Sequence, residues 1–243
     1  MTVSPAALHR LGGEGPPVLL VHGFGADRYG WAANAHALMG TRTVWAVDLP
    51  GHGSAGNAVG DGSPAALAQG LAEAVEALPG PVPVVAHSLG GAVVLHAARL
   101  VPGAFDRMIL ISPAGLGQGI DGEFLASLPT LSTQEEAEAL LARLVAKPRL
   151  VAPMAAHVLA GLADRDRRVA LSLIGAALSA APPPPSPDIH VSVLWGAEDR
   201  IVPLPRGPVL GIEPEVIAGA GHLPHVEAAG AVNRHIRMAL EVQ

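Results

Sequence analysis

The 243-residue chain has no cysteine, one lysine (Lys147), one tyrosine and an aromatic fraction of only 3%. Without cysteine there is no disulfide framework, no thiolate metal site and no cysteine nucleophile. That usage fits the cytosol, and a cytoplasmic location is expected. With aromatics scarce, Ala, Val and Leu must build most of the core, and a hydrophobic fraction of 50% supplies it. Basic residues number 15 against 21 acidic ones, a net charge of −6. That balance argues against nucleic acid or an anionic membrane as partner. The opening MTVSPAALHRLGGEGPP lacks a basic start followed by an apolar core, so no signal peptide is expected.

One apolar run, residues 82–101, has the length of a membrane span. It contains His87, Ser88, His96, Arg99 and the pair Gly90-Gly91, so a strand, a turn and a helix are the better reading. No membrane partner is expected.

Short apolar runs recur along the chain, at residues 16–23, 42–50, 82–88, 107–113, 190–196 and 214–219, each bounded by Gly, Pro or a polar residue. They are continuous rather than alternating, the pattern of strands covered on both faces in a parallel sheet. Helical patterns lie between them. Ser63 and Pro64 open one in which Leu67, Leu71, Val75 and Leu78 share a face. Another, near the C-terminus, repeats Val232, Ile236 and Leu240. Alternating strands and helices predict an α/β fold with a mostly parallel, doubly wound sheet. Residues 114–187 break the alternation and read as helices only. One starts at a capping box, STQE at 132–135, and carries Leu140, Leu141, Leu144 and Val145. A second, RVALSLIGAALSA at 168–180, is apolar nearly all round, and the stretch ends after the stiff run Pro182 to Pro185. The expected organisation is a core of residues 1–113 and 188–243 with an inserted helical cap at 114–187.

Ser88 sits where a buried strand gives way to a helix, in Ala86-His87-Ser88-Leu89-Gly90. This is the setting of a nucleophile elbow, a strained turn that projects the serine from the sheet. The residues two positions away must be small, because a longer side chain would strike the turned backbone. Alanine replaces the usual first glycine, a difference of one methyl. A structural serine bonded to the preceding helical turn would not require small neighbours on both sides.

A serine hydroxyl needs a general base and an acid to orient that base. The run at 190–196 is followed by Ala-Glu198-Asp199, and that at 214–219 by Ala-Gly221-His222-Leu-Pro-His225. Both loops follow the C-terminal ends of predicted strands, where open α/β sheets place ligands. Asp199 is assigned as the acid, with Glu198 its neighbour and rival. His222 is assigned as the base, with His225 its rival. A metal site at His222 and His225 lacks a third ligand, and Pro224 spoils the helical spacing. No metal or cofactor is called for. Oxyanion donors are expected from the N–H groups of Phe24, in His22-Gly23-Phe24-Gly25, and Leu89. The turn DLPGHGSAG at 48–56 lacks phosphate-loop spacing and reads as structural. His87 and His96 also read as structural.

Taken together, VHGFGAD, DLPGHGSA, AHSLGG, WGAEDRIVP and GAGHLPHVE resemble, in order, the landmarks of the α/β-hydrolase fold superfamily. More narrowly, DLPGHGSAGNAVGDGS, ISPAGLGQGIDGEFL and EAAGAVNRHI resemble the hydrolase-like C-terminal domain of the acetoin dehydrogenase dihydrolipoyl acyltransferase component. The wide resemblance implies a serine hydrolase that opens a small ester, thioester or related carbonyl compound. The narrow one implies Ser88, Asp199 and His222 as the triad, and acetyl transfer from dihydrolipoamide to coenzyme A. This chain shows no Asp-Lys-Ala lipoyl attachment motif and no His-x-x-x-Asp-Gly motif. A transferase role would therefore require a lipoylated partner chain.

Overall fold

A computed structural model of the chain describes residues 2–178, 181–186 and 188–241. Seven strands form one sheet: β1 (Ala7–Gly12), β2 (Pro17–Val21), β3 (Thr43–Asp48), β4 (Val84–His87), β5 (Arg107–Ile111), β6 (His190–Gly196) and β7 (Glu215–Ile217). Their spatial order is β1-β3-β2-β4-β5-β6-β7. Only β1 runs antiparallel, against β3. The apolar runs were expected to give six strands, and β1 is the addition. It lies at the sheet edge, half-buried, with His9 and Arg10 among its residues, so no apolar run marks it.

The continuous runs are explained by two covered faces. Leu19 and Val21 on β2, Val84 and Ala86 on β4, and Met108 and Leu110 on β5 face one core. Their neighbours Val18, Leu20, Val85, Ile109 and Ile111 face a second. Helices α2 (Pro64–Val75) and α3 (Leu89–Leu100) cover the first face, while α1 (Ala32–Leu38) and the late helix Ala229–Glu241 cover the other. Ser63 Oγ caps α2 by accepting from Ala66 N at 3.1 Å, with Pro64 in its first turn. Residues 82–101 resolve into β4, a turn and α3. Among the described residues no helix is long and apolar enough to cross a membrane.

Between β5 and β6 the chain forms α4 (Gly122–Ser127), α5 (Gln134–Leu141), α6 (Val151–Gly161) and α7 (Arg165–Ala177) and no strand among the described residues. Residues 179 and 180, at the end of the apolar helix read from sequence, and Pro187 lie outside the described residues. The capping box sits one residue later than the sequence reading put it. Thr133 is the N-cap and Glu136 the reciprocal partner, because α5 begins at Gln134. Leu144 and Val145 lie beyond the end of α5 but are still buried. Leu128, Leu141, Leu171 and Ile174 join the same core as β2 and β4, so these helices pack on the sheet rather than standing apart.

Two further helices follow β7, the short α8 (Pro224–Glu227) and the 13-residue α9 (Ala229–Glu241). The order of strands reverses at β2, which has β3 on one side and β4 on the other. The crevice beyond the C-terminal ends of β2 and β4 is thus a topological switch point.

Candidate active site

Ser88 follows β4 directly and has φ 50° and ψ −118°, a left-handed conformation rarely adopted outside glycine. Such a residue costs about 1–3 kcal/mol and persists only where its surroundings hold it. Here the backbone is pinned on both sides. Ser88 N donates to Ile111 O at 2.9 Å, and Ser88 O accepts from Ala114 N at 3.0 Å. Close packing explains the small neighbours. A Cβ at Gly90 would lie 2.5 Å from His22 O and 2.6 Å from Val21 O. Ala86 is fully buried between β2 and β5.

His222 reaches Ser88 from the loop after β7. Its Nε2 lies 2.9 Å from Ser88 Oγ, and its Nδ1 lies 2.8 Å from Asp199 Oδ2. The other carboxylate oxygen of Asp199 accepts from Ile201 N and Val202 N, both at 2.9 Å. With Asp199 Oδ2 as acceptor, the Nδ1–H tautomer leaves Nε2 free to accept a proton from the serine. Glu198 points to solvent, which separates it from its neighbour. His225 is buried but makes no bond to Ser88; it stacks on Trp31 and His87, ring centroids 4.6 Å apart in each case.

Phe24 and Leu89 stand at the C-terminal ends of β2 and β4. Among the described residues, neither N–H donates to another protein group. Two buried histidines shape the loop that carries Phe24. His22 donates from Nδ1 to Gly23 O at 2.8 Å and accepts from Leu49 N at 3.0 Å. His52 donates from Nδ1 to Pro50 O at 3.0 Å and accepts from Gly25 N at 3.1 Å. Burial, assisted by His22, lowers His52 to a pKa of about 3. Burial likewise lowers His22. Both rings are therefore neutral near pH 7, and each can give one hydrogen bond and accept one.

The sequence reading took 48–56 and His87 as structural and placed His22 in the loop of Phe24; it did not foresee that His22 and His52 bond the backbone of that loop. His87 donates from Nε2 to His222 O at 2.8 Å, so it holds the backbone of the base. Burial pushes His87 well below the usual histidine range. Its available signal was its place beside Ser88; that of His52 was the Gly-His-Gly following the strand end.

A cavity of about 390 Å³ opens onto Ser88 and His222. Its apolar wall includes Phe24, Leu125, Leu128, Leu144, Met154 and Leu223, from the sheet loops and the 114–187 helices alike. Among the described residues no arginine or lysine lines it, and the one carboxylate, Asp27, is bonded to His157 at 2.7 Å.

A second serine–histidine–carboxylate set exists in the chain. Ser192 Oγ lies 3.1 Å from His235 Nε2, and His235 Nδ1 bonds Glu215. None of the three lines the cavity, and Ser192 sits in regular strand pairing with Ile109. Distances alone thus do not define a site. The strained turn and the cavity distinguish Ser88.

The sequence profile of the Alpha/beta hydrolase family matches residues 18–235. The dihydrolipoyllysine-residue acetyltransferase component of the acetoin cleaving system of Pseudomonas putida is 33% identical over 93% of this chain. This chain spans only 64% of that relative's length. Among solved structures, a 2-hydroxy-6-oxo-6-phenylhexa-2,4-dienoate hydrolase from Rhodococcus superposes with a TM-score of 0.81, covering 99% of this chain and 100% of that one at 21% identity. A thermophilic esterase from Thermogutta terrifontis gives a TM-score of 0.74 at 25% identity, over 97% of this chain and 92% of that one.

Proposed function

The chain belongs to the alpha/beta hydrolase family, and we propose that it works as a serine hydrolase on a small ester, thioester or related carbonyl substrate with an apolar acyl or aryl group. The observation that carries this reading is the unbroken relay from Ser88 Oγ through His222 to Asp199 at a strained turn beside a cavity. Ser88 attacks the carbonyl carbon while His222 Nε2 takes its proton. Asp199 holds the imidazole and stabilises its charged form. The N–H groups of Phe24 and Leu89 receive the oxyanion, each donor being worth about 3 kcal/mol in the transition state. His222 then protonates the leaving group, and a water activated by the same ring releases the acid. Residues 114–187 serve as the cap whose apolar side chains set the acyl preference.

Transfer of an acetyl group from a dihydrolipoyl carrier to coenzyme A is the second reading, favoured by the likeness to the Pseudomonas putida component. It needs a lipoylated partner chain. Hydrolysis stands first because, among the described residues, the cavity wall carries no arginine or lysine for the phosphates of coenzyme A. The test is a panel of p-nitrophenyl esters of graded acyl length and matching thioesters, with and without coenzyme A. Ser88-dependent release of acid supports the hydrolase. Acyl-coenzyme A formed at the expense of hydrolysis supports the transferase. Absence of any covalent labelling of Ser88 by an organophosphonate overturns both.

A further inference from the structure

Glu227 ends α8 with its side chain buried, five residues after His222. One carboxylate oxygen accepts from Gly221 N at 2.7 Å. The other accepts from Ala146 N at 2.7 Å and Lys147 N at 3.1 Å. The Glu227 carbonyl accepts from Lys147 Nζ at 3.0 Å. Close by, His222 N donates to Leu144 O at 2.7 Å. A buried carboxylate is costly unless hydrogen-bonded, and here three backbone donors meet it. The two segments it joins are distant in sequence and different in role. Residues 144–147 link α5 to α6, two of the helices over the cavity, and Leu144 lines the cavity wall. Gly221 precedes the imidazole that faces Ser88. Their backbones touch so closely that a Cβ at Gly221 would lie 2.6 Å from Leu144 O.

We propose that Glu227 is a positioning residue that couples the placement of the α5–α6 helices to the placement of the His222 imidazole. Resting on the serine-hydrolase reading above, this makes the base competent only while those helices are seated. Movement of the α5–α6 link, as when a substrate enters, pulls on Gly221 and His222 through the shared carboxylate and the Leu144 carbonyl. Seating of the helices restores the contact between Nε2 and Ser88 Oγ.

The test uses Glu227→Gln and the milder Glu227→Asp in the full chain, with Lys147→Met as a control that keeps every carboxylate bond. Acylation by a p-nitrophenyl ester, substrate binding and amide hydrogen exchange are measured. Displacing a reacting group by about 1 Å costs on the order of 100-fold. Glu227→Gln should therefore slow acylation about 10- to 100-fold with binding changed less than about twofold. Exchange should accelerate together in 144–147 and 219–223. Glu227→Asp, too short to span both segments, should fall between, and Lys147→Met should stay within about threefold of the parent. Folded Glu227 variants that acylate at the parental rate, or that loosen only one segment, would overturn the coupling. If Glu227→Gln does not fold, the same outcomes are read from Glu227→Asp. Exchange needs no turnover, so a parent enzyme without Ser88-dependent acylation would strike the hydrolase reading separately.

Discussion

Ser88 Oγ and His222 Nε2 lie 2.9 Å apart although 134 positions separate them in the chain. The contact exists because β4 and β7 end on the same side of a parallel sheet and their following loops converge there. Ser88→Ala should fold as the parent does, lose essentially all turnover and stop reacting with an organophosphonate. Ser192→Ala, which removes the serine bonded to His235, should leave turnover within about twofold. Mass spectrometry of the labelled protein assigns the site directly. Label on Ser192 in place of Ser88 would reverse the assignment.

Crowding around the turn gives a second expectation. A methyl at Gly90 meets the carbonyls of Val21 and His22 at under 3 Å. Overpacking of this kind costs about 1–3 kcal/mol. Gly90→Ala should lower the midpoint of urea unfolding accordingly and reduce activity, because relief requires the turn to shift. Ala86→Val should do the same from the β4 side. Parental stability and turnover in both variants would contradict the tight-turn account.

His52 tests the proposed oxyanion loop without touching the proposed triad. Its Nε2 accepts from Gly25 N, beside Phe24. His52→Leu removes the acceptor and frees the loop. kcat for acylation should fall about tenfold or more through misplacement of the Phe24 donor. Phosphonate labelling, which also builds negative charge on oxygen, should slow in parallel. An unchanged rate would assign His52 to packing alone.

The buried histidines also shape the acid limb of stability. His52 and His225 are each lowered by burial to about 3, against an ordinary value of 6.5. Between those values the unfolded chain binds protons that the folded chain excludes. Stability is therefore full above about pH 6.5 and is lost as pH falls toward 3, with a slope of about 1.4 kcal/mol per pH unit for each such imidazole. His225→Phe keeps a flat ring against Trp31 and removes one of these groups. Its unfolding free energy, measured in urea from pH 4 to 7, should fall less steeply than the parent's. Parallel slopes would show that His225 is already protonated in the fold.

The core strands were legible because burial on both faces writes a continuous apolar run into the chain. Edge strand β1 was not, since a half-buried strand tolerates His9 and Arg10. Ser88 stood out because a strained turn demands small neighbours, which is a local demand. Asp199 and His222 were already preferred to Glu198 and His225 in sequence, but both members of each pair sit in the right loop, and only coordinates show Glu198 exposed and His225 packed on Trp31. Glu227 carried no such local mark, and the marks at His87 and His52, beside Ser88 and between two glycines, did not name their partners. Their roles lie in backbone atoms they reach across the fold, and a carboxylate or imidazole bonded to a distant amide looks in sequence like any other.

Sequence by itself determined what local sterics and burial dictate: strands covered on both faces, a helix opened by Ser63 and Pro64, a kinked turn at Ser88 and a family membership. Tertiary structure alone decided which side chains meet. Strand order sets the neighbours of each loop, so the 2.9 Å contact, the neutral histidines and the Glu227 link arise only when the sheet is assembled. Hydrogen bonds act over about 3 Å, and distance along the chain says nothing about distances that short.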